Sequence, residues 1–492
     1  MNSPNSLRSA SVSLASQGVT LLIVLVSAGI LGRLLTPIEF GLFAIVLAIE
    51  RLVKPLMDFG LTPAFLKSED DGQATCNLFF TLNVMTGGAM MLFLLGAGGV
   101  LSWVYGKPIL FALSTALAIS ALLTACANQP IMVLSRQCRF EMVSLVRVGS
   151  MLGGQFVAIG MAAYGRGVWS LAGRALTQAV FFLLLAHIIV RRGYRLVGFS
   201  QIRAQIHHVA FGGQIVASRL INGARLAMDR LLISGFYGTR IVGFYDRALM
   251  LAWLPDSRIR ATLALPILAH LARGEQRDLS EPYRLLVTSL SLTVGFACLV
   301  LTVVGDRLLP WLMGPQWLVG GVFLQILGLW GFAKLLHGVT EIIYINERRM
   351  RSWNAQNLLS FPLILVAPVL VLVWRGGEVT FVFAYSLAFF VFWTGTLLVT
   401  FWRLASSVRP VVRLTRSLLL SIGIPLAVGF TVKYLLIGAG FVRNDIISEA
   451  GLVLVCLAMA AAVPLAVLLG DRRTFCEVLS FVAARLHGAR AT

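Results

Sequence analysis

The chain has 492 residues, of which 58% are hydrophobic and only 13% charged, and its mean hydropathy is +0.86. Soluble domains hold about 45 to 50% apolar residues, so this composition excludes a water-soluble protein and leaves a polytopic membrane protein. The formal net charge of +20 raises nucleic-acid binding, but no loop between the apolar stretches is large enough for a binding module.

Stretches of about 20 apolar residues, the length that crosses a bilayer, are read at 12–35, 41–65, 77–104, 109–134, 142–164, 168–190, 208–236, 241–269, 283–305, 317–345, 354–374, 379–402, 416–437 and 447–469. They predict an all-α protein with about fourteen transmembrane helices. The first stretch follows Arg8 and runs on to Arg33 with no convincing small-residue cleavage site, so it is expected to be a retained helix rather than a signal peptide.

The second stretch carries Glu50, Arg51, Lys54 and Asp58. A charged residue at the centre of a lipid-facing helix costs roughly 2.5 to 3.5 kcal/mol, while each Leu or Ile returns only about 0.3 to 0.6. Four such residues do not face lipid. They are expected to line a wet, protein-walled cavity, which in a membrane protein reads as a transport path. Glu50, Lys54 and Asp58 recur at i, i+4 and i+8 and share one face, and Pro55 among them permits a bend. The competing reading is an ion-pair ladder that only joins helices, but the charges outnumber what one structural pair requires.

The seventh stretch presents Ser218, Asn222, Arg225 and Asp229 as one polar stripe, with Arg219 beside it. Arg225 and Asp229 are expected to pair at i, i+4, leaving Arg219 and Asn222 for a ligand. Arg230, like Arg33, is placed near the outer interface, where snorkelling explains it. The eighth stretch adds Asp246, Arg247, Asp256, Arg258 and Arg260 around Pro255, and a solvated face accounts equally well for Arg258 and Arg260. On the tenth, Lys334, His337 and Glu341 fall on one stripe at i, i+3 and i+7, which offers a proton relay to set against an ordinary hydrogen-bonded histidine. Arg147 and Arg174 lie about two turns from a surface and are read as snorkelling. The last two helices are bland, with Lys433 as their main intramembrane charge.

Basic residues cluster in alternate loops: Arg136 and Arg139; Arg191, Arg192, Arg195 and Arg203; Arg273 and Arg277; Arg348, Arg349 and Arg351; Arg403, Arg409 and Arg413; Arg472 and Arg473. A count of roughly 22 against roughly 7 puts both termini in the cytoplasm by the positive-inside rule. Anchoring to anionic headgroups is the second reading of this excess.

Sliding the chain by 197 positions sets Gln17 on Gln214 and Arg33-Leu34-Leu35 on Arg230-Leu231-Leu232; after a short insertion, Gly41-Leu42-Phe43 falls on Gly243-Phe244-Tyr245. Six helices return the chain to its starting side, so the two units are expected as parallel repeats. The predicted organisation is a six-helix bundle over 1–190, a cytoplasmic linker over 191–207, a second six-helix bundle over 208–402, and two further helices with a cytoplasmic tail over 403–492.

Among the deep positions arginine and lysine outnumber carboxylates, which suits an anionic cargo, and guanidinium groups match phosphate oxygens bidentately. The expected substrate-binding residues are Arg51, Lys54, Arg219, Asn222, Arg225 and Lys334. Glu50, Asp58, Asp229, Asp246, Asp256, His337 and Glu341 are expected to tune those charges or bind a coupling cation. The six cysteines show no CxxC or similar spacing, so no metal or disulfide framework is expected. No hydrolase, zinc or nucleotide motif stands in a suitable context. The chain is read as a transporter rather than an enzyme, without a cofactor, driven by the cargo gradient or by H+ or Na+.

The run Gly32-Arg33-Leu34-Leu35-Thr36-Pro37-Ile38-Glu39-Phe40-Gly41-Leu42, followed by Asp58-Phe59-Gly60-Leu61, resembles the opening signature of Wzx-type polysaccharide flippases, with Gly32 in place of the usual alanine. The motif covers about a tenth of the chain, the topology all of it. The resemblance implies the MATE/MOP-like architecture of two six-helix bundles with two further helices. It also implies alternating-access export of undecaprenyl-pyrophosphate-linked oligosaccharide across the bacterial inner membrane, for O-antigen, capsule or exopolysaccharide. A central cavity would take the sugar and pyrophosphate while the tail stays in lipid. A polysaccharide polymerase and a chain-length regulator are the implied protein partners, and nucleic acid is not one. The family has no fixed catalytic motif, so the site residues above are physical inference. The rivals are a multidrug antiporter of the same superfamily, which calls for an acidic cavity, and a lipid II flippase. A polymerase or ligase calls for a large external loop that this sequence lacks.

Overall fold

The computed structural model describes residues 4–58, 61–67, 72–198, 213–257, 280–347, 349–404, 408–438, 442–443, 446–447 and 454–462. The side chains of 4–16, 55–58, 63, 67, 213–219, 226, 280–282, 408–409 and 442–447 are outside that description. The expectations for Arg203, Arg258, Arg260, Arg273, Arg277, Arg348, Arg472 and Arg473 therefore lie outside the described residues, as do those for the side chains of Asp58, Arg219 and Arg409.

The described chain is helical apart from connections and a minimal hairpin that pairs Val442 with Ile447 and Arg443 with Ile446. Among the described residues, ten helical segments are long and apolar enough to cross a membrane. The helices over Pro37–Asp58, Gly213–Tyr237 and Thr239–Pro255 are not among them. These segments carry Glu50, Arg51, Lys54, Arg225, Asp229, Arg230 and Asp246. The molecule is thus an all-α multi-pass membrane protein, although the described residues do not fix the count at fourteen.

The helices gather into two compact units. The first comprises Met1–Asp246, Leu312–Gln316 and Met350–Leu358. It contains α1 (Pro4–Leu34), α2 (Pro37–Asp58), α3 (Leu61–Lys67), α4 (Gln73–Tyr105), α5 (Ile109–Arg136), α6 (Phe140–Ala163), α7 (Trp169–Val190), α8 (Gly213–Tyr237) and the first part of α9 (Thr239–Pro255). The close packing of α4 on α5 and of α6 on α7 follows from small residues at the crossings. Gly87 lies against Ala125 and Gly98 against Ser114, and Gly154 meets the Arg174 carbonyl.

The start of α2 explains the signature run physically. Thr36 is its N-cap, Pro37 opens the helix, and the Glu39 carboxylate accepts from the Thr36 backbone N–H at 2.7 Å and from the Thr36 hydroxyl at 2.9 Å. This is a capping box with proline at the first helical position, where its missing N–H costs nothing. The end of α1 is closed by the Gln316 amide, which donates to the Gly32 carbonyl at 2.7 Å.

After α7, Arg191 turns the chain at φ +51° and the segment from Gly193 to Val197 runs along α4. Gln73, Asn77 and Thr81 stand four apart on that helix, a rise of about 6 Å, close to the roughly 6.6 Å between alternate residues of an extended chain. Gln73 accordingly donates to the Gly193 carbonyl at 2.6 Å, while the backbone N–H groups of Arg195 and Val197 donate to Asn77 Oδ1 and Thr81 Oγ1, each at 3.0 Å. Tyr194 stacks on Phe80. Burial, with the Cys76 thiol adding and Arg192 opposing, pushes its phenol up to about 12.

The second unit comprises Arg247–Trp311, Trp317–Arg349 and Leu359–Thr492. Its helices are α10 (Ser280–Leu290), α11 (Phe296–Met313), α12 (Leu318–Asn346), α13 (Met350–Val373, whose first turns belong to the first unit), α14 (Glu378–Leu404) and α15 (Val408–Gly438). A π turn at Ser291–Gly295 joins α10 to α11 within one span. The core gathers Leu286, Leu290, Val294, Phe332, Leu336, Val339, Leu397 and Phe401 with Leu414 and Leu418 of α15 and Met459. α12 is buried along its whole middle, the pattern of a helix enclosed on all sides. Lys433 of α15 donates to both carboxylate oxygens of Asp306, each at 2.8 Å, and to the Val303 carbonyl at 2.8 Å. The C-terminal helix that reads as bland in sequence is therefore bonded into this core.

Candidate functional site

The helices α2, α8 and α9 bring the charged residues of the first unit together, and glycines let them approach. A Cβ on Gly41 would overlap the Thr239 carbonyl oxygen, and one on Gly243 would overlap the Pro37 carbonyl oxygen. Each glycine thus occupies the place where the other's helix begins, a self-complementary contact of the kind a two-fold axis makes. The pair is the one that the internal alignment superimposes. Further along, a Cβ on Gly223 of α8 would meet the Arg51 and Leu52 carbonyls at 3.1 Å.

This packing lets Arg51 on α2 reach Asp246 on α9, Nη1 to Oδ1 at 3.7 Å. Arg230 meets the same carboxylate oxygen and donates to Asp246 Oδ1 from Nε at 2.9 Å and from Nη2 at 2.8 Å. Asp229 accepts from the Arg230 backbone N–H at 2.7 Å, from Arg230 Nη1 at 3.4 Å and, on its second oxygen, from the Tyr245 hydroxyl at 2.7 Å. Arg225 donates to Asn222 Oδ1 at 2.7 Å. On α2, Lys54 donates to Glu50 at 3.3 Å.

Two expectations change here. Asp229 is held by Arg230 and Tyr245, and Arg225 turns to Asn222, so Asn222 is not left open for a ligand. Arg230 does not snorkel: it is 2% exposed, because α9 folds back beside α8 and presents Asp246 to it. Arg230 and Asp246 each lie eight residues from Gly238, the turn residue at φ +85°. That equal spacing across a glycine turn is the signal that would have paired them. Tyr245, which no sequence pattern singles out, is placed by the same hairpin. Arg174 sits with its guanidinium 5.9 Å from the centre of the Phe43 ring, where packing adds to snorkelling. Arg147 is exposed.

In the two ion pairs that α2 makes, the cation is the more accessible member. In the Arg51–Asp246 pair the arginine is 32% exposed and the aspartate 1%; in the Lys54–Glu50 pair the lysine is 62% exposed and the glutamate 13%. Arg225 and Arg230 are as deeply buried as Asp229 and Asp246. Among Glu50, Arg51, Lys54, Arg225, Asp229, Arg230 and Asp246, four cations face three carboxylates, a formal excess of one positive charge. Chemically the cluster is built to meet an anion with guanidinium and ammonium donors while buried carboxylates hold those donors in place.

The second unit holds the remaining candidates. Lys334 and His337 are buried at 8% and 2% exposure and bonded to each other, Nζ to Nδ1 at 3.2 Å. Lys334 is therefore held in the interior of this unit. Glu341 is half-buried one turn beyond, and Asp256 is fully buried just past the end of α9. Among the described residues no three His, Cys, Asp or Glu side chains are grouped to hold a metal ion.

Residues 30–320 match the family model described as polysaccharide biosynthesis protein. The chain is 23% identical over 356 residues to the teichuronic acid biosynthesis protein TuaB of Bacillus subtilis, covering 71% of this chain and 73% of that protein. It is 23% identical over 309 residues to the succinoglycan biosynthesis transport protein ExoT of Rhizobium meliloti, covering 62% of each. Its fold is that of the solved structure of the lipid II flippase MurJ, with a TM-score of 0.66 at 11% identity, covering 95% of this chain and all of that one. The family model spans more than half of the sequence, and the chain belongs to the polysaccharide biosynthesis protein family.

Proposed function

We propose that this protein is a flippase that carries an anionic, lipid-linked oligosaccharide, in the undecaprenyl-pyrophosphate class, across the bacterial inner membrane by alternating access. The observation that carries this reading is the pair of accessible cations on α2: Arg51 and Lys54 are accessible while their partners Asp246 and Glu50 are less so. Accessible cations on a helix at membrane depth are costly against acyl chains and favourable against a pyrophosphate. Family membership, the name of ExoT as a transport protein and the MurJ-like fold support the same reading.

In this account Arg51 and Lys54 attract the pyrophosphate together with Arg225 and the sequence candidate Arg219 of α8, and the sugar follows into the wet path while the polyprenyl tail remains in lipid. Asp246, Asp229 and Glu50 keep the cations oriented and limit how tightly the anion is held, so that it is released on the far side. Both termini lie in the cytoplasm, the two aligned six-helix repeats move against each other, and an ion gradient supplies the bias. A polymerase and a chain-length regulator take the product at the outer leaflet.

Deleting the gene tests the reading. Surface glycan should disappear and lipid-linked repeat units should accumulate at the cytoplasmic leaflet, with rescue by the wild-type chain. Arg51→Ala should fail to rescue despite normal abundance in the membrane. Unchanged surface glycan in the deletion strain overturns the proposal. Arrest of cell-wall synthesis with surface glycan intact overturns it in favour of lipid II as the cargo.

A further inference from the structure

The Lys334–His337 pair on α12 has a chemistry that the anion-facing cluster does not use. Both side chains are more than nine-tenths buried in the middle of a membrane-spanning helix, and Nζ and Nδ1 are 3.2 Å apart. The His337 ring stands edge-on to Trp393 of α14, with ring centres 4.2 Å apart and planes at 82°. Trp393 continues into a run of rings on α14, against Phe392 at 5.1 Å and Phe389 at 6.2 Å, and Phe389 meets Trp330 of α12 at 5.3 Å.

An ammonium has only donors, a neutral imidazole has one donor and one acceptor, and an imidazolium has only donors. A hydrogen bond between Lys334 and His337 therefore allows the two together no more than one positive charge, whichever nitrogen holds the proton. A second proton turns both nitrogens into donors, and attraction becomes repulsion between two unit charges away from water. The ring cannot swing aside freely, because Trp393 walls it. Relief of that repulsion therefore moves α14 against α12, at a place where the π turn of Ser291–Gly295 already packs on Phe332, just before Lys334. π turns inside helices are recurrent points of local rearrangement.

Other charged and titratable groups lie on the elements of this unit. Glu341 stands one turn along α12, half-buried. Tyr385 on α14 and Arg284 and Cys298 on α10 and α11 are buried. The stretch that ends α9 packs on α12 where the Ala252 carbonyl meets Gly331, and it brings in buried Asp256, which acts electrostatically on Cys298.

We propose that Lys334 and His337 form the proton-binding site of the transport cycle: the bonded pair is the singly charged state, and uptake of a second proton breaks the bond and shifts α14 on α12. The coupling role rests on the flippase reading; the titration of the pair does not. The test uses the full-length protein in lipid nanodiscs without cargo, following tryptophan emission between pH 5 and 8, the window in which imidazole changes charge. The difference between wild type and Trp393→Phe should show a one-proton transition that His337→Gln abolishes and Lys334→Gln retains with a moved midpoint. A flat difference signal, or a transition indifferent to His337→Gln, overturns the site.

A second arm measures flipping of an undecaprenyl-pyrophosphate oligosaccharide in proteoliposomes under a pH step. The wild-type rate should respond by up to about tenfold per pH unit, the limit for one linked proton, and the His337→Gln rate should not respond. Titration without any response of flipping to pH overturns the coupling role alone. Intact titration with no flipping at any pH overturns the flippase reading and the coupling role with it.

Discussion

The two copies of the internal motif agree at one point and part at another. At Gly41 and Gly243 they make the same contact reciprocally, each helix start against the other. At Arg33 and Arg230 the aligned side chains have opposite surroundings, one exposed and the other 2% exposed between two aspartates. The first copy opens α2 with a capping box, Thr36 to Glu39; the second opens α9 directly after Gly238 and places Asp246 where Arg230 can reach it. At the aligned positions the packing geometry matches and the electrostatics do not, and the charged cluster lies on α8, on α9 and on the face of α2 that meets them.

The harshest way to break this comparison is to fill the shared contact. Gly243→Leu and Gly41→Leu should each destabilise by more than about 4 kcal/mol, at the extreme of single substitutions, because the obstacle is backbone carbonyl and not a side chain that can turn away. Loss of monodisperse protein after detergent extraction is the readout, and a well-behaved Gly243→Leu protein would refute the contact.

The next test sharpens the divergence. Arg230→Ala should cost about 3 to 5 kcal/mol by leaving Asp229 and Asp246 buried without their shared cation, whereas Arg33→Ala should leave the thermal midpoint where it was. Equal effects at the two aligned positions would mean that the copies did not diverge there.

The smallest effect concerns the strap that leads out of the first copy. The buried Tyr194 hydroxyl has no hydrogen-bond partner among the described residues, so Tyr194→Phe should be neutral or slightly stabilising. The sign of its pH dependence follows from its position. The phenol ionises near 10 in an unfolded chain, a value typical of tyrosine, and is pushed up to about 12 in the docked strap, so the folded state holds the proton longer. The contribution is fully present below about pH 10 and is lost as pH rises toward about 12. Hydrogen exchange at Arg195 and Val197 should accelerate above about pH 10 beyond its ordinary pH dependence in the wild type and less so in Tyr194→Phe.

Much of this is legible in the sequence because membranes make hydrophobicity a strong signal. Helix positions, the charged segments and the helix-start motif can be read directly, since burying backbone or charge in lipid leaves few alternatives. The pairing of charges cannot, because a stripe on one helix does not say which helix will face it. Asp229 sits four residues from Arg225, yet it bonds to its chain neighbour Arg230 and to Tyr245 across the Gly238 turn. Lys433 stands out in the sequence, but its partner Asp306 lies 127 residues away, a distance that no local pattern bridges. Lys334 and His337 share a predicted stripe, and only the fold shows them bonded to each other and closed in by aromatic rings.

The central claim is that accessible cations on α2 receive an anionic lipid-linked glycan. Flipping of a fluorescent undecaprenyl-pyrophosphate oligosaccharide by purified protein in proteoliposomes measures it most directly. The account predicts transport by the wild type, loss of transport in Arg51→Ala with the protein still folded, and no transport of the same glycan on a neutral lipid carrier. Equal transport of the charged and neutral carriers would contradict it.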